Sequence, residues 1–223
     1  MKKLLRQCWP LILSGLAAQI YLKIDQIMLG LIISDSAVGI YSVAVRFSEV
    51  WYFIPNIFVS SAFAVLLSYK SRDESMYYFK MQKLLDYLFL FALSIAILIM
   101  IIANPLIYFL YGQEYISAAP VLTVHIWASL FVFMRALLSK WLIAEELTFF
   151  SLVTHLTGAI VNISLNLVLI PKFGIMGAAI ATLISYAFAS YGALFFDRRT
   201  VVFARMMTIS LLSPIRYLKK LFT

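Results

Sequence analysis

Six apolar stretches divide the chain, at residues 10–33, 37–67, 84–103, 119–141, 149–170 and 174–196. Each reaches the roughly 20 residues that a helix needs to cross a hydrocarbon core about 30 Å thick. Runs of this length, repeated along the whole chain, restrict the fold class to an all-α polytopic membrane protein, a bundle of six transmembrane helices. Composition agrees: 64% of the residues are hydrophobic, against about 45–50% in a soluble domain. The second stretch is long for one span and contains Pro55, which predicts a kink. Residues 201–213 are too short to span, carry Arg205 and lead into SPIRYLKKLFT. They read as an interfacial amphipathic segment. The expected organisation is a transmembrane lobe over residues 1–200, followed by that segment and a basic tail over 201–223.

The formal charge is +8. In a soluble protein it would raise the question of nucleic acid; here the positions of the basic residues answer it. Lys2, Lys3 and Arg6 precede the first span, and Lys70, Arg72, Lys80 and Lys83 lie between the second and third. Lys140 belongs to the fourth loop, and Arg198, Arg199, Arg205, Arg216, Lys219 and Lys220 follow the sixth span. The opposite loops hold only Lys172. This is the bias that retains Lys and Arg on the cytoplasmic side, so both termini are expected in the cytoplasm and no nucleic-acid partner is expected. The opening MKKLLRQ and the GLA at 15–17 outline a signal peptide, but the apolar run continues to Ile33 and favours a retained first helix. Cys8 is the single cysteine, so neither an intrachain disulfide nor a cysteine metal site is expected.

Charges inside the spans are the candidate functional groups. A charged side chain at mid-membrane costs about 2.5–3.5 kcal/mol on insertion scales and marks a functional site by default. Lys23 and Asp25 lie in the first span, Arg46 and Glu49 in the second. A tight turn near 34–37 makes these spans an antiparallel hairpin. Asp25 is then level with Arg46, and Lys23 with Glu49. Residues two apart on a helix do not share a face, so the two cross-pairs cannot both be ideal. At least one charge is expected to line a water-filled cavity; the competing reading is a buried ionic staple that fixes helix register. His125 and Arg135 are weaker candidates. His125 could act as a protonatable gate, and Arg135 is expected to snorkel to the cytoplasmic interface. Gln19 and Asn56 are expected to hydrogen-bond between helices.

The last two spans carry small or polar residues every fourth position: Gly158, Asn162 and Asn166, then Gly177, Ala181, Ser185, Ala189 and Ala193. A turn near 171–172 would set Gly158 level with Ser185, Asn162 with Ala181 and Asn166 with Gly177. Such stripes let helix backbones approach closely, a scaffold role. No GxxxxGK[ST], HExxH, CxxC or GxSxG motif occurs, and the carboxylate pairs Asp73–Glu74 and Glu145–Glu146 read as solvated charge. No enzymatic activity, metal site or cofactor is expected.

Three stretches resemble one family. YLKIDQIMLG followed by SAVGIYSVAVRFSEVWYFIP, then NPLIYFLYGQEYISAAPVL, then NLVLIPKFGIMGAAIATLIS are similar, in order, to segments of lipid-linked oligosaccharide and polysaccharide flippases of the multidrug/oligosaccharidyl-lipid/polysaccharide (MOP) superfamily, the O-antigen flippase branch. The similarity covers roughly residues 9–196 and resembles the C-terminal lobe alone. It implies translocation of undecaprenyl-linked O-antigen or capsule repeat units across the bacterial inner membrane by alternating access, with possible coupling to a proton or sodium gradient. Membrane lipids, a lipid-linked oligosaccharide and a second six-helix lobe or a second copy would be the partners. On this reading Lys23, Asp25, Arg46 and Glu49 face the cavity between lobes. The rival readings are a transport-inactive remnant or assembly subunit of a polysaccharide export system, and an exporter of small amphipathic cations.

Overall fold

The computed structural model describes residues 2–221, with side chains described from Trp9 to Lys219 except Pro10 and Tyr21. The expectations for Cys8 and for the side chains of Lys2, Lys3, Arg6 and Lys220 lie outside the described residues. The elements are α1 (Lys2–Ile32), α2 (Asp35–Glu49), α3 (Phe53–Lys70), α4 (Glu74–Tyr111), α5 (Ala118–His125), α6 (Ala128–Ala144), α7 (Thr148–Ser190), α8 (Val201–Leu211) and α9 (Ser213–Leu221). Away from their ends, helices satisfy their backbone donors and acceptors internally, which the bilayer interior demands.

Five stretches are long and apolar enough to cross a membrane: Leu11–Ile32, Asp35–Lys70, Glu74–Tyr111, Ala118–Ala144 and Thr148–Phe196. The last contains two spans. Gly174 stands at φ 57°, ψ −135° inside α7, a conformation open chiefly to glycine, and the chain reverses there. Below it the two arms of α7 touch. A Cβ on Gly177 would lie 2.2 Å from the Leu169 carbonyl oxygen, and one on Gly158 would lie 2.7 Å from the Ala189 Cβ. The six expected spans are thus present, with one correction to register. Gly158 meets Ala189, and Asn162 meets Ser185, one helical turn from the expected partners. The reversal sits at Gly174 and not at 171–172, because proline fits within the helical arm while only glycine suits the corner.

Caps fix where helices begin. Ser34 accepts from the Ala37 amide at 3.2 Å at the start of α2, and Asp73 accepts from the Met76 amide at 2.9 Å at the start of α4. That amide and the Ser75 hydroxyl hold the Asp73 carboxyl below its usual range. The second span is interrupted between α2 and α3. Pro55 has no N–H and crowds the carbonyl four residues back. The chain responds with short i→i−3 bonds, Tyr52 N to Glu49 O at 2.9 Å and Ile54 N to Trp51 O at 3.1 Å.

The core runs between α4, α5 and α6 and includes Tyr77, Met81, Leu85, Phe133 and Trp141. Large apolar side chains also cover the outside, such as Phe109, Leu31 and Ile101, as suits a lipid-facing surface. The segment after residue 200 is more than an interfacial strip. α8 buries Phe203, Ala204 and Met207 in the lobe, and Phe203 packs 5.1 Å from the Trp141 ring. α9 bends away from it by 53° and carries Arg216 and Lys219.

Candidate functional site

Asp25 of α1 is buried, only 2% exposed. Three neutral side chains donate to it from three directions. Tyr41 Oη of α2 reaches Oδ2 at 2.9 Å, Asn166 Nδ2 of the first α7 arm reaches Oδ1 at 2.5 Å, and Thr182 Oγ1 of the second arm bonds Oδ2. The network continues outward. Asn166 Nδ2 also donates to Asn162 Oδ1 at 3.1 Å, and Asn162 Nδ2 donates to Ser185 Oγ at 3.2 Å. The Asn166 Oδ1 is buried and has no hydrogen-bond partner. Among the described residues Asp25 forms no ion pair.

The expected Asp25–Arg46 pair does not form. Arg46 is exposed and belongs to no ion pair among the described residues. Equal depth fixes height but not azimuth. At 3.6 residues per turn, Arg46 lies about 140° around α2 from Tyr41, which faces the core. The same geometry separates Asp25 from Lys23 by about 200° on α1. Lys23 therefore points outward, where its Nζ lies 3.6 Å from Glu49 Oε2; the two side chains are 53% and 24% exposed. That expected pair does form. Lys23 and Arg46 sit about 14–16 Å from the turn that joins α1 and α2. Charges at that depth cannot face lipid cheaply, so this face of the lobe suits water or another protein surface.

His125 and Arg135 are both buried. His125 Nδ1 and Ser48 Oγ are 2.9 Å apart, and the imidazole stands edge-on to Tyr41, ring centroids 6.1 Å apart. It ties α5 to α2 one layer from Asp25. Arg135 does not snorkel, contrary to expectation. Its Nη1 donates to the Ala189 carbonyl at 3.0 Å and its Nη2 to Thr154 Oγ1 at 2.8 Å. The last carbonyls of α7 have no helical donor and carry partial negative charge, so an internal cation is better placed there than at the interface. Asn56 bonds the Tyr52 carbonyl of its own helix at 3.0 Å instead of bridging to another, and Gln19 is exposed.

Two features escape a reading of the sequence by span. Asn162, Asn166 and Thr182 look like packing residues, yet they converge on Asp25. The available signal was a pair of amides four apart in an apolar span. Asp86, at the start of the third span, is also buried. It accepts from Gln82 at 2.9 Å, Ser210 at 2.8 Å and Arg216, which clasps α8 and α9 onto α4.

Residues 1–120 match the polysaccharide biosynthesis protein family. The chain belongs to that family. It is 32% identical over 190 residues to the probable flippase AglR of Haloferax volcanii, a match covering 80% of this chain and 38% of AglR. Its fold is similar to a MOP superfamily transporter from Pyrococcus furiosus, at 18% identity and TM-score 0.71, covering 94% of this chain and 51% of that one. It is also similar to the lipid II flippase MurJ in an inward closed conformation, at 21% identity and TM-score 0.69, covering 96% of this chain and 48% of that one. The chain thus spans 38% of the length of AglR and about half of each solved transporter. This family member has the fold of one transporter lobe.

Proposed function

We propose that this chain forms one lobe of a flippase that moves a lipid-linked glycan across a membrane by alternating access, without covalent chemistry. The observation that carries the reading is the outward charged face, Lys23, Arg46 and Glu49, at mid-depth on the first two spans. Membership of the family and similarity to a probable flippase support it. The face closes into a cavity when a second six-helix lobe or a second copy packs opposite. Lys23 and Arg46 then receive the pyrophosphate of the lipid carrier through charge-assisted hydrogen bonds. The specific form of the proposal is an undecaprenyl-linked O-antigen or capsule repeat unit, a bacterial inner membrane and cytoplasmic termini. The loop charges support the orientation.

Asp25 is the coupling group in this scheme. A carboxylate among hydroxyl and amide side chains suits a proton, and suits a hard monovalent cation once the Asn166 amide turns its oxygen toward it. The Asn166 Oδ1 has no hydrogen-bond partner while Nδ2 faces Asp25; reversing the amide brings that oxygen to the Asp25 carboxylate, beside the Thr182 hydroxyl and the Asn162 amide. Binding there joins α1 to both arms of α7, so it biases how the first span sits against the rest of the lobe.

Reconstituting the purified chain with a fluorescent sugar-lipid, with and without a candidate second lobe, tests the proposal. Translocation should require the complete pair of lobes and fall when Lys23→Gln or Arg46→Gln is introduced. Translocation that is indifferent to both substitutions contradicts the role of this face.

A further inference from the structure

A groove runs along the outside of α3 and α4, away from the Asp25 junction. Its part nearer the start of α4 has a volume of about 360 Å³ and is lined by Ala62, Val65, Leu84 and Tyr87, with Lys80 and Lys83 beside them. It continues into a second hollow of about 400 Å³ between Phe58 and Phe91, and Leu84 and Tyr87 line both. The sequence explains the shape. Phe58, Ala62 and Val65 follow helical spacing on α3, as do Leu84, Tyr87 and Phe91 on α4. Ala62 leaves room between the helices. The Phe58 and Phe91 rings, 6.5 Å apart, close the deep end.

The groove is apolar along its length and cationic at one end. From Lys80 to Phe91 it extends about 16 Å along α4, close to the depth of one leaflet, half of roughly 30 Å. Lys80 Nζ stands 4.9 Å over the Tyr69 ring and Lys83 Nζ 4.6 Å over the Phe79 ring. Neither belongs to an ion pair among the described residues. The adjacent Lys70 differs, since Glu145 lies 2.8 Å from its Nζ. A slot one leaflet deep, with two cations at one end that make no ion pair among the described residues, complements a molecule that is anionic at one end and a long hydrocarbon at the other. Basic clefts between spans hold anionic lipid headgroups by this arrangement.

We propose that the α3–α4 groove is a binding site for an anionic phospholipid, with its phosphate between Lys80 and Lys83 and one acyl chain lying along Leu84 and Tyr87 toward Phe58 and Phe91. The site does not depend on the flippase reading.

The test uses the full chain in phosphatidylcholine nanodiscs that contain a few per cent of a phosphatidylglycerol carrying a photoactivatable acyl chain. The comparison probe carries the same chain on a phosphatidylcholine headgroup, and labelled residues are mapped by peptide mass spectrometry. The phosphatidylglycerol probe should label Phe58, Leu84, Tyr87 and Phe91 in preference to the phosphatidylcholine probe. Lys80→Gln with Lys83→Gln should lower that labelling about tenfold while labelling of lipid-facing Phe109 stays unchanged. Ala62→Phe, which fills the slot and keeps both lysines, should block it as well. Equal labelling by the two headgroups, labelling indifferent to either variant, or an unlabelled groove beside a labelled Phe109 would overturn the proposal. The last result would mean that protein, not lipid, covers this face.

Discussion

Asn166 holds its amide nitrogen 2.5 Å from the Asp25 carboxylate, joining the first span to the fifth across 141 residues of sequence. Thr182 and Tyr41 bind the other oxygen of the same group. The carboxylate is therefore the common acceptor for three helical segments. Removing it should cost more than removing any one donor. Asp25→Ala removes the shared acceptor of three buried donors. Asn166 keeps Asn162 Oδ1 and Thr182 keeps the Ala178 carbonyl, so the loss is greatest for Tyr41, at about 1–3 kcal/mol for a buried donor left poorly satisfied, and the thermal unfolding midpoint should fall. Asp25→Asn retains the shape and should unfold much closer to the parent. If sodium is the coupling ion, sodium should raise the midpoint of the parent chain and not that of Asp25→Asn. An equally small loss in Asp25→Ala and Asp25→Asn would contradict the junction.

Asp25 and Arg46 are level in the membrane but face different ways, so they should behave independently. Asp25→Arg combined with Arg46→Asp would rescue a genuine pair. Here the double variant should be as unstable as Asp25→Arg alone, with the two effects additive to within about 0.5 kcal/mol. Recovery of the midpoint in the double variant would restore the discarded pairing.

The two arms of α7 pack backbone against backbone at Gly177, where an added methyl would lie 2.2 Å from the Leu169 carbonyl. Gly177→Ala should destabilise by about 1–3 kcal/mol through overpacking. Gly39, within α2, has no heavy atom within 4 Å of a built Cβ. Gly39→Ala should be neutral or stabilising by up to about 1 kcal/mol. Denaturation of the two variants side by side checks both, and matching effects would contradict the packing.

Asp86 is enclosed by Gln82, Ser210 and Arg216. Arg216→Ala removes its cationic partner and should loosen α8 and α9 together, read as faster amide hydrogen exchange in residues 201–219. Exchange confined to α9 would show that Phe203 and Met207 hold α8 without the clasp.

Heights were legible in the sequence and angles were not. Apolar run lengths gave six spans, because lipid imposes span length through simple transfer energies. Depth matching found Lys23 with Glu49, whose side chains are long enough to meet from adjacent faces. It failed for Asp25 because rotation about α1 and α2 is set by side-chain packing, which places Tyr41 and not Arg46 toward the core. The shifted contacts of Gly158 and Asn162 trace to one corner residue, Gly174, within the PKFG connection. The clustering of Asn162, Asn166 and Thr182 on Asp25 depends on three helix–helix rotations at once, so no single stretch of sequence carries it.

The central claim is a division of charge: Asp25 closed inside the lobe, Lys23 and Arg46 open on the outward face of the first two spans. Cysteine substitution at each position, in a Cys8→Ser background, with a membrane-impermeant charged thiol reagent on the reconstituted chain, tests it most directly. Lys23→Cys and Arg46→Cys should react readily and Asp25→Cys should resist. Fast reaction at position 25, or protection of positions 23 and 46 in the absence of any partner lobe, would contradict the account.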